Sequence, residues 1–337
     1  MLAILGAGAY VGWNIGANDT ANCVGTSVGC GLISFRNAVI LVSVFALLGA
    51  LLQGQHVMHT IGNGIAIVDL SYPAVVTALI CSGFFVTLAT FFRIPTSTSQ
   101  AIVGGVLGIG LALKAEVNYP KLIAIAESWI LCPLLVMALA FSLMHVANFI
   151  LKKFKSRSLL MQHTMGRLAI LSACYVAYSM GANNAGNAVG PIANLGIFHP
   201  KLLLFIGGLS IAVGAATYGK KVAHTVGIGI TPLDTPAAFI AQISAAFGMH
   251  LFSMLGIPVS TSSAIVGAVV GVGLVSTSPA AAMNVNGDWK RAVAIRLADI
   301  EQDALAKTTE ALRGAGADAH AVVTDVSKPE QIEALSN

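Results

Sequence analysis

The chain has 337 residues, of which 56% are hydrophobic and 9% charged, and its formal net charge is +4. Globular domains carry about 25% charged residues, so this chain has too few polar side chains to cover a water-soluble body of its size. The composition excludes a disordered chain, argues against a soluble enzyme and is typical of a membrane protein.

The charge is unevenly distributed along the chain. Residues 1–283 hold 12 Lys/Arg and 5 Asp/Glu, whereas residues 284–337 hold 6 Lys/Arg and 9 Asp/Glu. Three long stretches contain no Asp, Glu, Lys or Arg, namely Leu70–Phe92, Leu168–Pro200 and Thr235–Gly287. Because a helix needs about 20 apolar residues to cross a bilayer, we expect a multi-pass membrane body followed by a polar tail. No basic segment precedes the first apolar run, so a cleaved signal peptide is not expected.

In chain order, the first half is expected to contain two helices, a helical hairpin and a long helix. The expected bounds are about 3–33 and 37–54 for the two helices, 74–113 for the hairpin and 119–151 for the long helix. A basic connector at residues 152–167 follows, which the positive-inside rule places in the cytoplasm. Its basic residues are Lys152, Lys153, Lys155, Arg157 and Arg167. Because a hairpin returns to its own side, three net crossings place the N-terminus outside the cell.

Two sequence blocks of the first half return in the second half. NIGANDTANCVG at Asn14–Gly25 matches SMGANNAGNAVG at Ser179–Gly190, 165 residues later. PTSTSQAIVGGVLGIG at Pro95–Gly110 matches PVSTSSAIVGAVVGVG at Pro258–Gly273, 163 residues later. An internal duplication in a membrane protein is typical of transporters, whose substrate site lies between the repeats near the bilayer midplane.

A third pair of blocks lies between the other two and keeps their order. GQHVMHTIGNGI at 54–65 matches GKKVAHTVGIGI at 219–230. We therefore assign residues 1–151 to a first membrane repeat and residues 168–283 to a second. Because an odd number of net crossings separates the two repeats, the second enters the membrane from the opposite face, which predicts inverted topology.

Asp19 is the one acid within a long apolar run of residues 1–283. A carboxylate there costs on the order of 3 kcal/mol unless it is paired or hydrated. Asn18 and Asn22 flank it, and because Asn and Asp compete for backbone hydrogen bonds and Gly permits unusual torsions, we expect a helix break at Gly16–Asp19. The exposed oxygens would suit Na⁺ or a proton-carrying carboxylate, and a polar loop at the membrane surface is the alternative. The second copy repeats the amides at Asn183, Asn184 and Asn187.

Two hydroxyl-rich blocks, Pro95–Ser99 and Pro258–Ser262, each follow an apolar helix and precede a glycine-rich one. Pro ends the incoming helix and the hydroxyls cap the next, so each block is expected at the tip of a re-entrant hairpin. Helix N-termini and hydroxyl donors bind anions, and two facing tips would hold one tetrahedral oxyanion. Ordinary capping in two surface turns is the alternative. The hydroxyl side chains are Ser97, Thr98, Ser99, Ser260, Thr261 and Ser262.

Two other features have a less direct interpretation. Gln100 follows the first hydroxyl run where the second copy has Ser263, and we regard it as a candidate cation ligand. The pairs His59–Thr60 and His224–Thr225 also recur, but no carboxylate partner is evident for the histidines. A helix-packing or interfacial role is therefore expected for them.

The GANDTAN block with its second copy, together with the twin P-x-S-T-S hairpins, resembles the inorganic phosphate transporter (PiT) family of sodium- or proton-coupled symporters over residues 1 to about 283. The resemblance implies phosphate between the hairpin tips, held by the hydroxyls named above, and cations around broken helices. Some members of the family carry sulfate. The cation-side residues that it implies are Asn18, Asp19, Asn22, Asn183, Asn184 and Asn187. If the ion is Na⁺, the implied metal ligands are Asp19, Asn22 and Asn187.

The chain departs from the family pattern at two places. Asn184 stands where the family usually has an acid, which affects the number of coupled cations. A long apolar helix matching Tyr119–Leu151 should follow Gly273, but residues 284–337 are polar. Within them, Arg291–Leu335 resembles an internal piece of a short-chain dehydrogenase without the glycine-rich loop of a Rossmann site, so we expect no enzymatic function from the tail.

The sequence thus predicts an all-α polytopic membrane protein with inverted repeats, broken helices and two re-entrant hairpins. We expect a secondary transporter in the cell membrane that imports inorganic phosphate with Na⁺ or H⁺ and uses no other cofactor. Its expected partners are phosphate, the coupling ion, the lipid bilayer and further copies of itself, with no nucleic acid. The alternatives are a permease for sulfate or another tetrahedral oxyanion, a passive anion channel and, from the tail alone, an NAD(P)-dependent reductase.

Overall fold

A computed structural model describes residues 1–29, 31–63, 65, 70–92, 94, 96–153, 159–219 and 233–275. Within these residues the regular secondary structure consists of nine α-helices, so the predicted all-α class is confirmed. They are α1 (Leu2–Gly29), α2 (Phe35–Asn63), α3 (Tyr72–Phe91), α4 (Thr98–Ala112), α5 (Tyr119–Lys153), α6 (Leu159–Ala193), α7 (Pro200–Thr217), α8 (Thr235–Met254) and α9 (Thr261–Gly273). The predicted polar tail lies outside the described residues.

Five of the described helices, α2, α3, α5, α7 and α8, are long and apolar enough to cross a membrane. The helices α4 and α9 are apolar but have only 15 and 13 residues. At 1.5 Å per residue they extend about 22 and 20 Å, which is less than the roughly 30 Å of a bilayer core. Each of them therefore has the length of one arm of a hairpin rather than of a complete crossing.

Apolar side chains form much of the outer surface. On α5, Ile130 is 65% exposed and Phe149 is 71% exposed, whereas many Asn, Ser and Thr side chains are buried. A soluble protein rarely exposes contiguous apolar patches of this kind, because the cost of hydrating them is high. This distribution suits a body whose surface contacts lipid.

The duplication seen in the sequence is also present in the helices. Shifting the bounds of α3 by 163 residues gives the bounds of α8, and the same shift carries the first residue of α4 to that of α9. The first residues of α2 and α7 differ by 165. The order α1–α4 therefore returns as α6–α9, with α5 between the two sets.

The predicted helix break at Gly16–Asp19 is wrong, because α1 continues from Leu2 to Gly29 and α6 continues through the second copy of the motif. The glycines serve close packing instead. A β-carbon on Gly16 would overlap the Ile211 carbonyl oxygen of α7, and one on Gly181 would overlap the Ala46 carbonyl oxygen of α2. Small residues let membrane helices approach to backbone contact.

Two more glycines make the same kind of contact, one on α7 facing α1 and one on α2 facing α6. A β-carbon on Gly214 of α7 would overlap the Trp13 carbonyl oxygen of α1. One on Gly49 of α2 would overlap the Tyr178 carbonyl oxygen of α6. The crossings α1–α7 and α2–α6 are thus built alike, and each is tightened by two glycines.

Two helix bounds differ from the sequence prediction. The helix α2 extends to Asn63 rather than ending at about 54, and α6 begins at Leu159, inside the predicted connector. The long helix expected at about 119–151 is present as α5, Tyr119–Lys153. The extension of α2 matters below, because it places two histidines on a helix.

Candidate substrate and cation site

The middle parts of α1 and α6 meet the N-terminal ends of α4 and α9 in one polar cluster. Most of its side chains hydrogen-bond to one another, whereas Asn18 bonds to neighbouring backbone and Thr90, and Ser260 bonds to Ser263. All but Ser262 are at most 4% exposed. The predicted residues that it brings together are Asn18, Asp19, Asn22, Thr98, Ser99, Asn183, Asn184, Asn187, Ser260, Thr261 and Ser262.

Ser97 and Ser260 cap the helices that enter the cluster. Ser97 Oγ accepts a hydrogen bond from the Gln100 backbone N–H (3.3 Å), and Ser260 Oγ accepts one from the Ser263 backbone N–H (3.2 Å). This is the pattern of an N-cap, which satisfies one of the free N–H groups of the first turn. The N-termini of α4 and α9 are therefore ordered and directed at the same cluster.

Asn18 and Asn183 hold the chain just before each of these helices. Asn18 Oδ1 accepts from the Thr96 backbone N–H at 3.2 Å, and Asn183 Oδ1 accepts from the Val259 backbone N–H at 3.1 Å. Each amide nitrogen donates in turn to a nearby carbonyl, that of Ile94 for Asn18 and that of Val259 for Asn183. Both side chains thus position a hairpin tip in this structure.

Asn22 and Asn187 connect each half of the molecule to the hairpin of the other half. Asn22 Nδ2 donates to Ser262 Oγ, and Asn187 Nδ2 donates to Ser99 Oγ, both at 2.8 Å. The two serines continue the exchange, because Ser99 Oγ donates to the Val259 carbonyl and Ser262 Oγ donates to the Thr96 carbonyl. The same pattern of bonds therefore occurs twice, with the roles of the two halves exchanged.

Asp19 and Asn184 face each other where the two halves meet. Asn184 Nδ2 donates to Asp19 Oδ2 at 2.9 Å, and Thr98 Oγ1 donates to the same oxygen at 3.0 Å. Asn184 Nδ2 also donates to Thr261 Oγ1 at 3.1 Å. These partners are neutral, so an ionised Asp19 carries a buried charge that a cation or a proton would stabilise.

One oxygen of the cluster is left for a further partner. Asn187 Oδ1 is buried and has no hydrogen-bond partner in the structure. Leaving such an acceptor unsatisfied costs about 1–3 kcal/mol, and oxygen atoms of this kind are what Na⁺ takes as ligands. Carboxylate and amide oxygens in one buried cluster fit a small hard cation.

Gln100 and His59 lie apart from the cluster. Gln100 is exposed in the first turn of α4, and His59 is exposed on α2. Pro95 and the pair His224–Thr225 lie outside the described residues. The structure therefore does not bring Gln100 together with the other predicted cation ligands.

Sequence reasoning missed a second buried polar cluster, centred on Gln242 of α8. Gln242 Nε2 donates to the Cys23 carbonyl (3.2 Å) and Ser27 Oγ (3.1 Å), and its Oε1 accepts from Ser172 Oγ (2.9 Å). Gln242 is an isolated amide in an uncharged helix and belongs to no motif. At the repeat offsets its three side-chain members correspond to buried apolar residues, Leu79, Ile192 and Ala7.

A duplicated helical membrane body with a buried polar cluster between its halves is typical of membrane transporters. A family model described as "Phosphate transporter family" matches residues 15–165 and 158–299. The chain belongs to this family, which confirms the resemblance drawn from the motifs. The match continues past residue 283, into the segment that we assigned to the polar tail.

Individual relatives agree with this assignment. The chain is 31% identical over 353 residues to a protein of Pyrococcus furiosus that carries the name "Putative phosphate permease PF1020", covering 79% of this chain and 85% of that protein. It is 27% identical over 377 residues to "Inorganic phosphate transporter 2-1, chloroplastic" of Arabidopsis thaliana, covering 79% of this chain and 64% of that protein.

A solved structure is similar in fold as well as in sequence. It is described as "The sodium-dependent phosphate transporter" and superposes with a TM-score of 0.74 at 28% identity. The match covers 86% of this chain and 94% of that chain. Relatives of this kind are permeases and transporters, so the chain is a multi-pass membrane transporter rather than an enzyme.

Proposed function

We propose that the chain imports inorganic phosphate by symport with Na⁺ or H⁺, with the anion bound at the N-termini of α4 and α9. The observation that carries the proposal is that two capped helix N-termini open onto one buried cluster rich in hydroxyls. Free N–H groups and the positive ends of two helix dipoles stabilise an anion without a positively charged side chain. The cluster members named above include no Lys or Arg.

Asp19 explains why binding of the anion would be coupled to binding of a cation. Phosphate and an ionised Asp19 would bring two negative charges into one buried cluster, and their repulsion is strong where the dielectric is low. A Na⁺ ion or a proton on Asp19 removes the repulsion, so anion and cation bind together. For Na⁺ the proposed ligands are Asp19, Asn22 and Asn187, of which Asn187 offers an unpaired oxygen.

The crossed hydrogen bonds support transport by movement of one half against the other. Asn22–Ser262 and Asn187–Ser99 join the halves directly beside the proposed site. If the repeats are inverted, with the N-terminus outside and the 152–167 connector in the cytoplasm, exchange of such bonds would open the site to one face or the other. We place the protein in the cell membrane and expect it to assemble with further copies of itself.

The acceptors in the cluster favour phosphate over sulfate. Near neutral pH inorganic phosphate carries at least one proton, whereas sulfate carries none. A buried acceptor oxygen of the cluster that does not bind the cation can accept a hydrogen bond from a P–OH group, but it would face an acceptor oxygen of sulfate. A site with buried acceptors rejects a ligand that cannot donate to them.

The test is uptake of labelled phosphate into proteoliposomes that contain the full chain. We expect saturable accumulation that depends on an inward Na⁺ or H⁺ gradient and persists in excess sulfate. Liposomes without protein and liposomes without an ion gradient are the controls. Uptake that equilibrates without accumulating would indicate a channel, and equal uptake of sulfate would overturn the choice of anion.

A further inference from the structure

The part of α2 beyond its predicted end carries a polar face. Gln55, His56 and His59 are all exposed, and their spacing places them on one side of the helix. They line a cavity of about 520 Å³. Leu52, Thr60, Met254, Leu255 and Gly256 complete its walls. We call this cavity the vestibule.

The vestibule lies within a segment that is long and apolar enough to cross the membrane, Phe35–Gly62. Polar side chains in such a segment are costly when they face lipid, and they normally line water-filled cavities or contact protein. A volume of about 520 Å³ is within the range of small-ligand sites. The physical interpretation is a recess that admits water and a small solute.

The vestibule adjoins the second hairpin tip. Gly256 has φ +71°, and a β-carbon there would lie 3.1 Å from both the His56 carbonyl oxygen and Thr60 Oγ1. The turn that ends α8 therefore packs directly on α2. Ser260 follows four residues later, a distance of at most about 14 Å even in a fully extended chain. A solute in the vestibule is thus close to the cap of α9.

The chemistry of the vestibule suits an anion. Two imidazoles and an amide provide N–H donors, and none of the described residues that line the vestibule is a carboxylate. In the sequence duplication the positions equivalent to Gln55, His56 and His59 are occupied by Lys220, Lys221 and His224. Side chains that donate to anions therefore occupy these positions in both copies of the sequence.

We propose that the vestibule binds inorganic phosphate through the N–H groups of Gln55, His56 and His59 before the ion moves to the tip formed by Ser260, Thr261 and Ser262. This inference rests on the proposed function. It adds a peripheral site that raises the local phosphate concentration beside the hairpin. Loss of the vestibule should weaken phosphate capture without altering the coupling at Asp19.

The first experiment measures uptake kinetics of His56→Ala/His59→Ala in proteoliposomes. We expect the KM for phosphate to rise roughly tenfold, because two donors to a charged ligand are lost, while the maximal rate stays within about twofold. His145→Ala is the matched control, since His145 is exposed on α5 outside the vestibule, and its kinetics should match the wild type. An unchanged KM in the double variant would overturn the inference. Failure of the wild type to transport phosphate would instead overturn the proposed function.

The second experiment tests access directly. His59→Cys, in full-length protein with Cys30 and Cys81 changed to Ser, is treated with a membrane-impermeant thiosulfonate in phospholipid vesicles. We expect labelling that millimolar inorganic phosphate slows several-fold. No labelling, or labelling that phosphate does not affect, would overturn the inference. Labelling blocked in vesicles but restored in detergent would assign the vestibule to a lipid phosphate group, and a disulfide-linked dimer would assign it to an interface between copies.

Discussion

The α1–α4 half and the α6–α9 half of this transporter differ in charge within a shared hydrogen-bond framework. The amides that hold the hairpins, Asn18 and Asn183, make matched contacts, and so do Asn22 and Asn187. At the meeting point of the halves the first contributes Asp19 and the second contributes Asn184. The duplication has therefore kept the residues that position the tips, while the negative charge belongs to one half.

The halves also differ around Gln242. Gln242 hydrogen-bonds to both Ser27 and Ser172, whereas the equivalent positions hold buried Leu79, Ile192 and Ala7. One contact between the repeats is thus directional and polar, and its counterpart is apolar. Separating the helices at Gln242 requires breaking oriented, buried hydrogen bonds. Apolar side chains at Leu79 have no such directional bonds, so the helices there can shift more easily. The two faces of the protein need not open with equal ease.

The largest effect is expected from removing the charge of the first half. Asp19→Asn keeps the size of the side chain and one oxygen that can accept from Thr98 and Asn184, but leaves nothing to be neutralised by Na⁺ or H⁺. Loss of a charge-assisted contact of about 3 kcal/mol corresponds to a roughly hundredfold fall in coupled phosphate uptake. Size-exclusion profiles in detergent would check that the variant is folded, and wild-type uptake rates would refute the role of Asp19.

Moving the charge to the second half is the sharper test of the comparison. In Asp19→Asn/Asn184→Asp the carboxylate lies at the equivalent position of the second half, among partners equivalent to those of Asp19. We expect uptake to recover to on the order of a tenth of the wild-type rate, since the framework is shared but the surroundings are not identical. Uptake no better than that of Asp19→Asn alone would show that the halves are not interchangeable.

Adding a second carboxylate should change the ion dependence. In Asn184→Asp alone, two carboxylates at hydrogen-bond distance would share a proton or take up an additional cation. We expect a steeper dependence of phosphate uptake on Na⁺ or proton concentration, measured as an increased Hill coefficient. An unchanged ion dependence would mean that Asp19 and Asn184 do not face each other during transport.

Exchanging the residues at the Gln242 position tests the second difference. Leu79→Gln would bury an amide among apolar side chains and should destabilise the protein by about 2–4 kcal/mol. Gln242→Leu should cost only about 1 kcal/mol, because Ser27 and Ser172 can still donate to the Ala169 carbonyl. Thermal unfolding in detergent would measure both, and equal losses would contradict the asymmetry.

Small effects are also expected at the two caps. Ser260 is buried and Ser263 is half-buried, so Ser260→Ala removes the partner of the Ser263 N–H and should cost about 1–2 kcal/mol. Ser97 is only half-buried, and in Ser97→Ala water can replace the hydroxyl. Phosphate KM should therefore rise more in Ser260→Ala than in Ser97→Ala. The opposite order would indicate that the first hairpin carries more of the anion binding.

The fold class and most residues of the central cluster could be predicted from the sequence, because the duplication marks them twice. The bounds of α3 follow from the uncharged run Leu70–Phe92, and the hydroxyl block after Pro95 marks the start of α4. Local rules for Asn, Asp and Gly failed at Gly16–Asp19. There the polar side chains bond to hairpins distant in sequence, and the glycines face other helices.

Two other parts of the structure could not be predicted from the residues next to them in the sequence. The predicted end of α2 at about 54 is wrong, because the helix continues to Asn63 with His56 and His59 on its exposed face. Gln242 gave no motif at all, since its partners come from α1 and α6. The length of α2 and the partners of Gln242 both depend on contacts between helices, and neighbouring residues in the sequence do not predict such contacts.

The paired crossings at Gly16 with Gly214, and at Gly49 with Gly181, have a mechanical consequence. Where backbone touches backbone, no side chains interdigitate, so a small rotation does not have to rearrange rotamers in a close-packed core. Each crossing can therefore act as a pivot between two helices. Because the two crossings are equivalent in the duplication, we expect a small rotation at one to be matched by a rotation at the other.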